Sequence, residues 1–73
     1  MEKKNEFFEI LIGQSEVGAS RYHVICDRSE LEIVAGALVR YEKFIRKSNV
    51  ACVAKQGYDA SFSDYDIMIC DCM

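Results

Sequence analysis

The segment that most constrains this chain is "SELEIVAGALVRYEKFIRK", residues 29–47, because it is the only stretch with a long helical repeat. Ser29 followed by Glu32 fits a capping box, in which the two side chains satisfy free amides of the first helical turn. Apolar residues then recur at the three- and four-residue spacing of one helix face: Leu31, Val34, Ala35, Leu38, Tyr41 and Ile45. The sequence therefore predicts one long helix that packs on a sheet through this stripe.

Two pairs of strands are predicted on either side of the helix. Residues 6–13 and 21–27 alternate in polarity around a turn, and residues 50–55 and 65–72 read as the third and last strands. This β-β-α-β-β order predicts a single compact α+β domain over residues 1–73, with the helix on a four-stranded sheet. In element order and length it is analogous to the β-grasp architecture of ubiquitin-like domains, whose first and last strands pair in parallel. A fully antiparallel four-stranded sheet is the alternative.

Four cysteines invite a search for a metal site or disulfides. Cys26 and Cys52 are solitary, while Cys70 and Cys72 form C-x-C rather than the C-x-x-C of a zinc site. The N-terminal "MEKKNEFFEILIG" breaks its apolar run with glutamates, so we expect no signal peptide, no membrane association and a cytoplasmic, reducing location. We predict that the cysteines are small apolar filler and that the protein holds no metal or other cofactor.

Residues for catalysis are sparse. His23 is the only histidine, and on a strand it would point away from Cys26, three residues on. The four glycines are scattered, so no phosphate-binding loop is formed. The sequence therefore predicts no catalytic residue and a protein that is not an enzyme.

The apolar residues exceed what one helix and one sheet face can bury. Ile33, Ala37 and Phe44 form a second helix stripe, and Phe7, Leu11 and Met68 lie on strand positions that face away from the helix. One explanation is that the loop residues Phe62 and Tyr58 cover the extra helix stripe. The other is that another chain contacts it. Because a chain this short has a small core, a partner subunit would also add stability. We predict an interaction surface built from these six residues, in a homodimer or against a foreign protein.

These observations favour a small non-enzymatic protein-protein interaction module or inhibitor. Size and the lack of catalytic residues alone suggest one encoded by a phage or mobile element, of the anti-CRISPR kind. The alternative is a nucleic-acid-binding protein with a basic helix face of Arg40, Lys43, Arg46 and Lys47. A net charge of −3 weighs against it, as does the expectation that no aromatic side chain lies among these residues to stack on bases.

Overall fold

The computed structural model describes residues 4–65 and 67–71, with the backbone alone for residues 68–71. The chain runs through five elements: β1 Glu6–Gly13, β2 Ser20–Cys26, α1 Arg28–Arg46, β3 Val50–Gln56 and β4 Ile67–Asp71. The prediction of an α+β fold with one helix packed on an antiparallel sheet is confirmed. No helix among the residues described combines the length and apolarity needed to cross a membrane.

The sheet is built around β1. This strand pairs antiparallel with β2 on one side and with β3 on the other, and β4 adds to the outer side of β3, so the order is β2-β1-β3-β4. The predicted β-grasp order is not confirmed. Because β1 has a neighbour on each side, it has no edge left for parallel pairing with the last strand.

The main core lies between α1 and one face of the sheet. Alternation along β1 directs Phe8, Ile10 and Ile12 into it, and each is fully buried. Cys26 and Cys52 lie in the same core as free thiols, and burial raises the pKa of Cys52 to about 12. The filler role is therefore confirmed for these two cysteines. The side chains of Cys70 and Cys72 fall outside the described residues.

The helix begins two residues earlier than its sequence pattern suggested. Asp27, not Ser29, is the N-cap: its Oδ1 accepts the Ser29 N–H at 2.8 Å, and Glu30 Oε1 accepts the Asp27 N–H at 3.3 Å. Both pairs have capping-box spacing, and the end of β2 at Cys26 selects the earlier one. The helix ends at Arg46, and Lys47 follows it as a left-handed C-cap whose N–H donates to Lys43 O.

The helix also presents a different face to the sheet. Its buried residues are Leu31, Ala35, Val39 and Glu42, whereas Tyr41 and Ile45, predicted to face the sheet, are exposed. The cause is a buried polar network at the C-terminal half of α1. Glu42 accepts hydrogen bonds from Tyr22 Oη, from Ser20 Oγ at 3.1 Å and from Arg46 Nε at 2.7 Å. Because this network places Glu42 against the sheet, Tyr41 and Ile45 lie on the exposed side of the helix.

The opposite face of the sheet is covered in part by the loop after β3. Leu11, Val53 and Ala60 form a second buried cluster, against which Phe62 and Ala19 pack. Leu11, predicted as part of the interaction surface, is thus only 1% exposed. The loop supplies the cover that the sequence assigned to a partner chain.

A buried carboxylate holds this loop in place. Glu9 accepts the Asp59 N–H at 2.8 Å and Arg21 Nη1 at 2.5 Å, and the same Nη1 donates to Ala60 O at 2.8 Å. Burial by itself would raise the pKa of Glu9, but the hydrogen bonds from Arg21 and Asp59 outweigh it, so the pKa is lowered. Glu9 is therefore charged at neutral pH, and it ties the loop to two strands.

Candidate interaction surface

The outer face of α1 carries a row of apolar side chains that we call the ridge: Ile33, Ala37, Tyr41 and Phe44. They follow one another at intervals of four, four and three residues, so they line one side of the helix over about 16 Å. Ile33 is 73% exposed, Tyr41 56% and Phe44 79%. The ridge lies away from the helix residues that seat on the sheet.

No segment of the described chain covers the ridge. The sequence suggested Phe62 and Tyr58 as cover for this stripe, and that prediction is wrong. Phe62 packs instead on the Leu11 cluster at the opposite face of the sheet. The Tyr58 ring contacts the rings of Phe7 and His23, at centroid distances of 4.8 and 6.0 Å. The loop therefore covers apolar side chains on the outer face of the sheet but leaves those on the outer face of the helix exposed.

A basic flank borders the ridge, consisting of Arg40, Lys43 and Lys47. Arg40 and Lys47 are exposed and Lys43 is partly exposed. Arg46, predicted as the fourth member of a basic face, does not belong to it. Its guanidinium is bound to Glu42 at 2.7 Å and to Gly18 O at 2.8 Å, on the inner side of the helix. The helix thus offers three cations beside an apolar row.

The six residues predicted as one interaction surface are separated by the fold. Ile33, Ala37 and Phe44 come together on the ridge. Phe7 lies on the far face of the sheet, half-buried against His23 and Tyr58, and Leu11 is buried. The side chain of Met68 lies outside the described residues. Only the helical part of the prediction therefore forms a continuous exposed surface.

Neither an enclosed pocket nor a cluster of three or more metal-ligating side chains is found in residues 4–65 and 67–71. His23 is half-exposed, with Nε2 3.8 Å from Glu9 Oε1, at the rim of the Phe7 and Tyr58 ring contacts.

Sequence reasoning assigned one member of the ridge to the sheet, and it placed Ile25 on the sheet face away from the helix without including it in the interaction surface. Tyr41 was assigned to the sheet because it fits the apolar stripe, yet Glu42 is the residue that turns inward. Ile25 is 70% exposed near the outer edge of the sheet. The sequence signal for the inward position of Glu42 was its i, i+4 spacing from Arg46. In the fold, this pair lies against the polar side chains of Ser20 and Tyr22 in β2.

No protein-family model, curated protein or solved structure matches this chain.

Proposed function

We propose that this protein acts by binding another protein through the ridge, without catalysing a reaction. The observation that supports the proposal is the exposure of Ile33, Tyr41 and Phe44 along one helix face. An ordered apolar row with a polar border is the usual form of a helix that docks into a partner's groove. Tyrosine and phenylalanine supply much buried area for few immobilised torsions.

The basic flank indicates the chemistry of the partner. Arg40, Lys43 and Lys47 border the ridge, so a groove with carboxylates along its rim is complementary in charge. Such rim charges act mainly on the association rate and on the choice of partner. An acidic, apolar-lined groove on a larger protein therefore fits this surface, and an inhibitory role by occlusion stays a prediction.

The test compares two substitutions with the same change in charge. Phe44→Glu places a carboxylate at the centre of the docked face, while Val17→Glu places one on the 89% exposed turn before β2. Both residues are exposed, so both variants should keep the fold by circular dichroism. We expect cross-linking and affinity capture from native cells to recover a partner with the natural chain and with Val17→Glu.

Phe44→Glu should lose that partner, with a Kd at least about 30-fold weaker, as for a hot-spot residue. Ile33→Glu should behave in the same way. Equal recovery by all the variants would show that the ridge is not the binding surface. Recovery of no partner by any of them would count against the proposal as a whole.

A second candidate function is single-stranded nucleic-acid binding. Contrary to the sequence-based expectation, Tyr41 and Phe44 are exposed on the same helix as Arg40, so stacking side chains do lie next to a cation. Aromatic stacking contributes about 1–3 kcal/mol per base. Binding of a fluorescent single-stranded oligonucleotide at low salt, weakened by Tyr41→Ala and by added salt, would support this candidate. No binding at low salt would remove it.

A further inference from the structure

The outer edge of β2 is a second unpartnered feature of the fold. In the order β2-β1-β3-β4, β2 is an edge strand, and within the described residues no strand pairs with its outer side. It is seven residues long and keeps an unbroken register with β1 from Ser20 to Cys26. It contains no proline, no bulge and no lysine, which are the usual protections of an exposed edge. The helix contacts β2 through its face, where Ser20 and Tyr22 bond Glu42.

The backbone groups that face outward can be identified from the register. Gly57 N–H donates to Phe7 O at 3.0 Å, so the backbone groups of Phe7 point toward β3. The N–H and C=O of one residue lie on the same side of an antiparallel strand, and the side alternates along the strand. The even-numbered residues of β1 therefore bond β2 through its own even-numbered residues, such as Tyr22 and Val24. The odd-numbered residues of β2 present their N–H and C=O groups at the outer edge: Arg21, His23 and Ile25.

We infer that this edge pairs with the same edge of a second copy of the chain, antiparallel and centred on His23. In that register the two His23 residues face each other, and Arg21 of each chain faces Ile25 of the other. All three outward N–H groups and all three C=O groups of each strand are then paired, giving six backbone hydrogen bonds across the two-fold axis. Registers shifted by one step of two residues leave some of these groups unpaired.

The side chains are compatible with this register. The 70% exposed Ile25 is covered by the methylene stem of Arg21 from the other chain, while the guanidinium stays on Glu9 of its own. On the helix side, Tyr22 lies beside Val24 of the second copy, which is a favourable aromatic and β-branched neighbour pair. A register centred on Arg21, two such steps away, places the two Arg21 side chains opposite each other and is disfavoured. The strand is therefore self-complementary in backbone hydrogen bonding and in shape.

The interface is small, so the dimer should be weak. Strand pairing of this length lies at the low end of specific interfaces, and we expect a Kd of roughly 100 µM. The first test is amide exchange by NMR at about 20 µM and about 1 mM chain. The monomer fraction then changes about fourfold, and the edge amides of Arg21, His23 and Ile25 should slow by that factor. The amides of Tyr22 and Val24, which bond β1, should not change.

Substitutions provide the second test. His23→Lys places two ammonium groups at the two-fold axis, and Ile25→Lys places one opposite Arg21, so each should weaken self-association at least about tenfold in sedimentation equilibrium. Val17→Lys is the control with equal added charge, and Phe44→Glu tests the ridge; neither should change the dimer. A chain that stays monomeric up to about 1 mM overturns the inference. So does a dimer that Phe44→Glu dissociates and His23→Lys does not, or edge amides whose exchange is independent of concentration.

Discussion

The substitution Tyr22→Phe tests the polar network that orients α1. It removes one hydroxyl group and leaves the ring, so no cavity forms and the loss is limited to the hydrogen bond from Tyr22 Oη to Glu42. Glu42 is almost wholly buried, and it keeps the bonds from Arg46 and Ser20. The carboxylate therefore stays charged but loses one of its three side-chain donors.

The expected loss of stability is large for a domain of this size. A hydrogen bond to a charged group contributes about 1.5–3 kcal/mol, and the two remaining donors place Tyr22→Phe near 2 kcal/mol. A chain of this length has a free energy of unfolding of about 4–11 kcal/mol. With about 4–8 °C per kcal/mol for small domains, the Tm should fall by about 8–16 °C.

Thermal and urea unfolding followed by circular dichroism measure this loss, with Tyr41→Phe as the matched control. Tyr41 lies on the exposed ridge, so its hydroxyl should contribute less than about 0.5 kcal/mol. If Tyr22→Phe and Tyr41→Phe destabilise the protein equally, the Glu42 network does not hold the helix in its orientation. The explanation given above for the exposed Tyr41 and Ile45 would then fail.

The same hydroxyl gives a signature at alkaline pH. The hydrogen bond to Glu42, together with burial, raises the pKa of Tyr22 to about 12, from an ordinary value of 10.0. Between these two values the unfolded chain has released the proton and the folded chain retains it. Stability from this group is therefore complete below pH 10 and is lost as the pH rises toward 12. The stability of Tyr22→Phe should fall less steeply over this interval, and parallel curves for the two proteins would contradict the assignment.

Three further predictions concern the other buried groups. Glu9→Gln should weaken the anchor of the loop after β3 and lower the free energy of unfolding by about 1–3 kcal/mol. Chymotrypsin should then cleave at Tyr58 faster than in Glu32→Gln, a control substitution at an exposed site. Equal cleavage rates in the two variants would contradict this. Because the pKa values of Glu9 and Glu42 are lowered in the folded chain, stability should be full above about pH 4.5 and fall as the pH drops further, less steeply in Glu9→Gln. Cys52, whose thiol pKa is raised to about 12 by burial, should resist alkylation at pH 8 until the chain is unfolded, as peptide mass spectrometry will show; rapid native labelling would show that the core opens readily.

The strands were predictable because their polarity alternates with the period of a sheet. Phe8, Ile10 and Ile12 share a face in any register, so their burial follows from spacing alone. The order of the strands did not follow, because element order is compatible with parallel or antiparallel pairing of the ends. The choice depends on which strands reach each edge of β1, a long-range property that local patterns do not encode.

The candidate site was predictable only in part, for a related reason. Ile33, Ala37 and Phe44 were found because they form a second apolar stripe beside the one assigned to the sheet. Tyr41 was missed because hydropathy gives Glu42 no reason to be buried. The partners that make its burial favourable lie on β2, about 20 residues earlier in the chain. In the same way, the cover over Leu11 depends on a loop held by Glu9, whose contacts span up to 50 residues.

The central position of β1 has a consequence for how the chain folds. Its pairing with β2 closes a six-residue connection, residues 14–19, and can form within microseconds, although an isolated hairpin is marginal in water. Its pairing with β3 must wait until the 36 residues between the two strands, 14–49, are arranged, including the whole of α1. The rate-limiting step is therefore expected to be the docking of β3 onto a hairpin that the helix has begun to cover. Conservative truncations such as Ile10→Val in β1 should slow folding, whereas truncations in the loop after β3 should mainly accelerate unfolding.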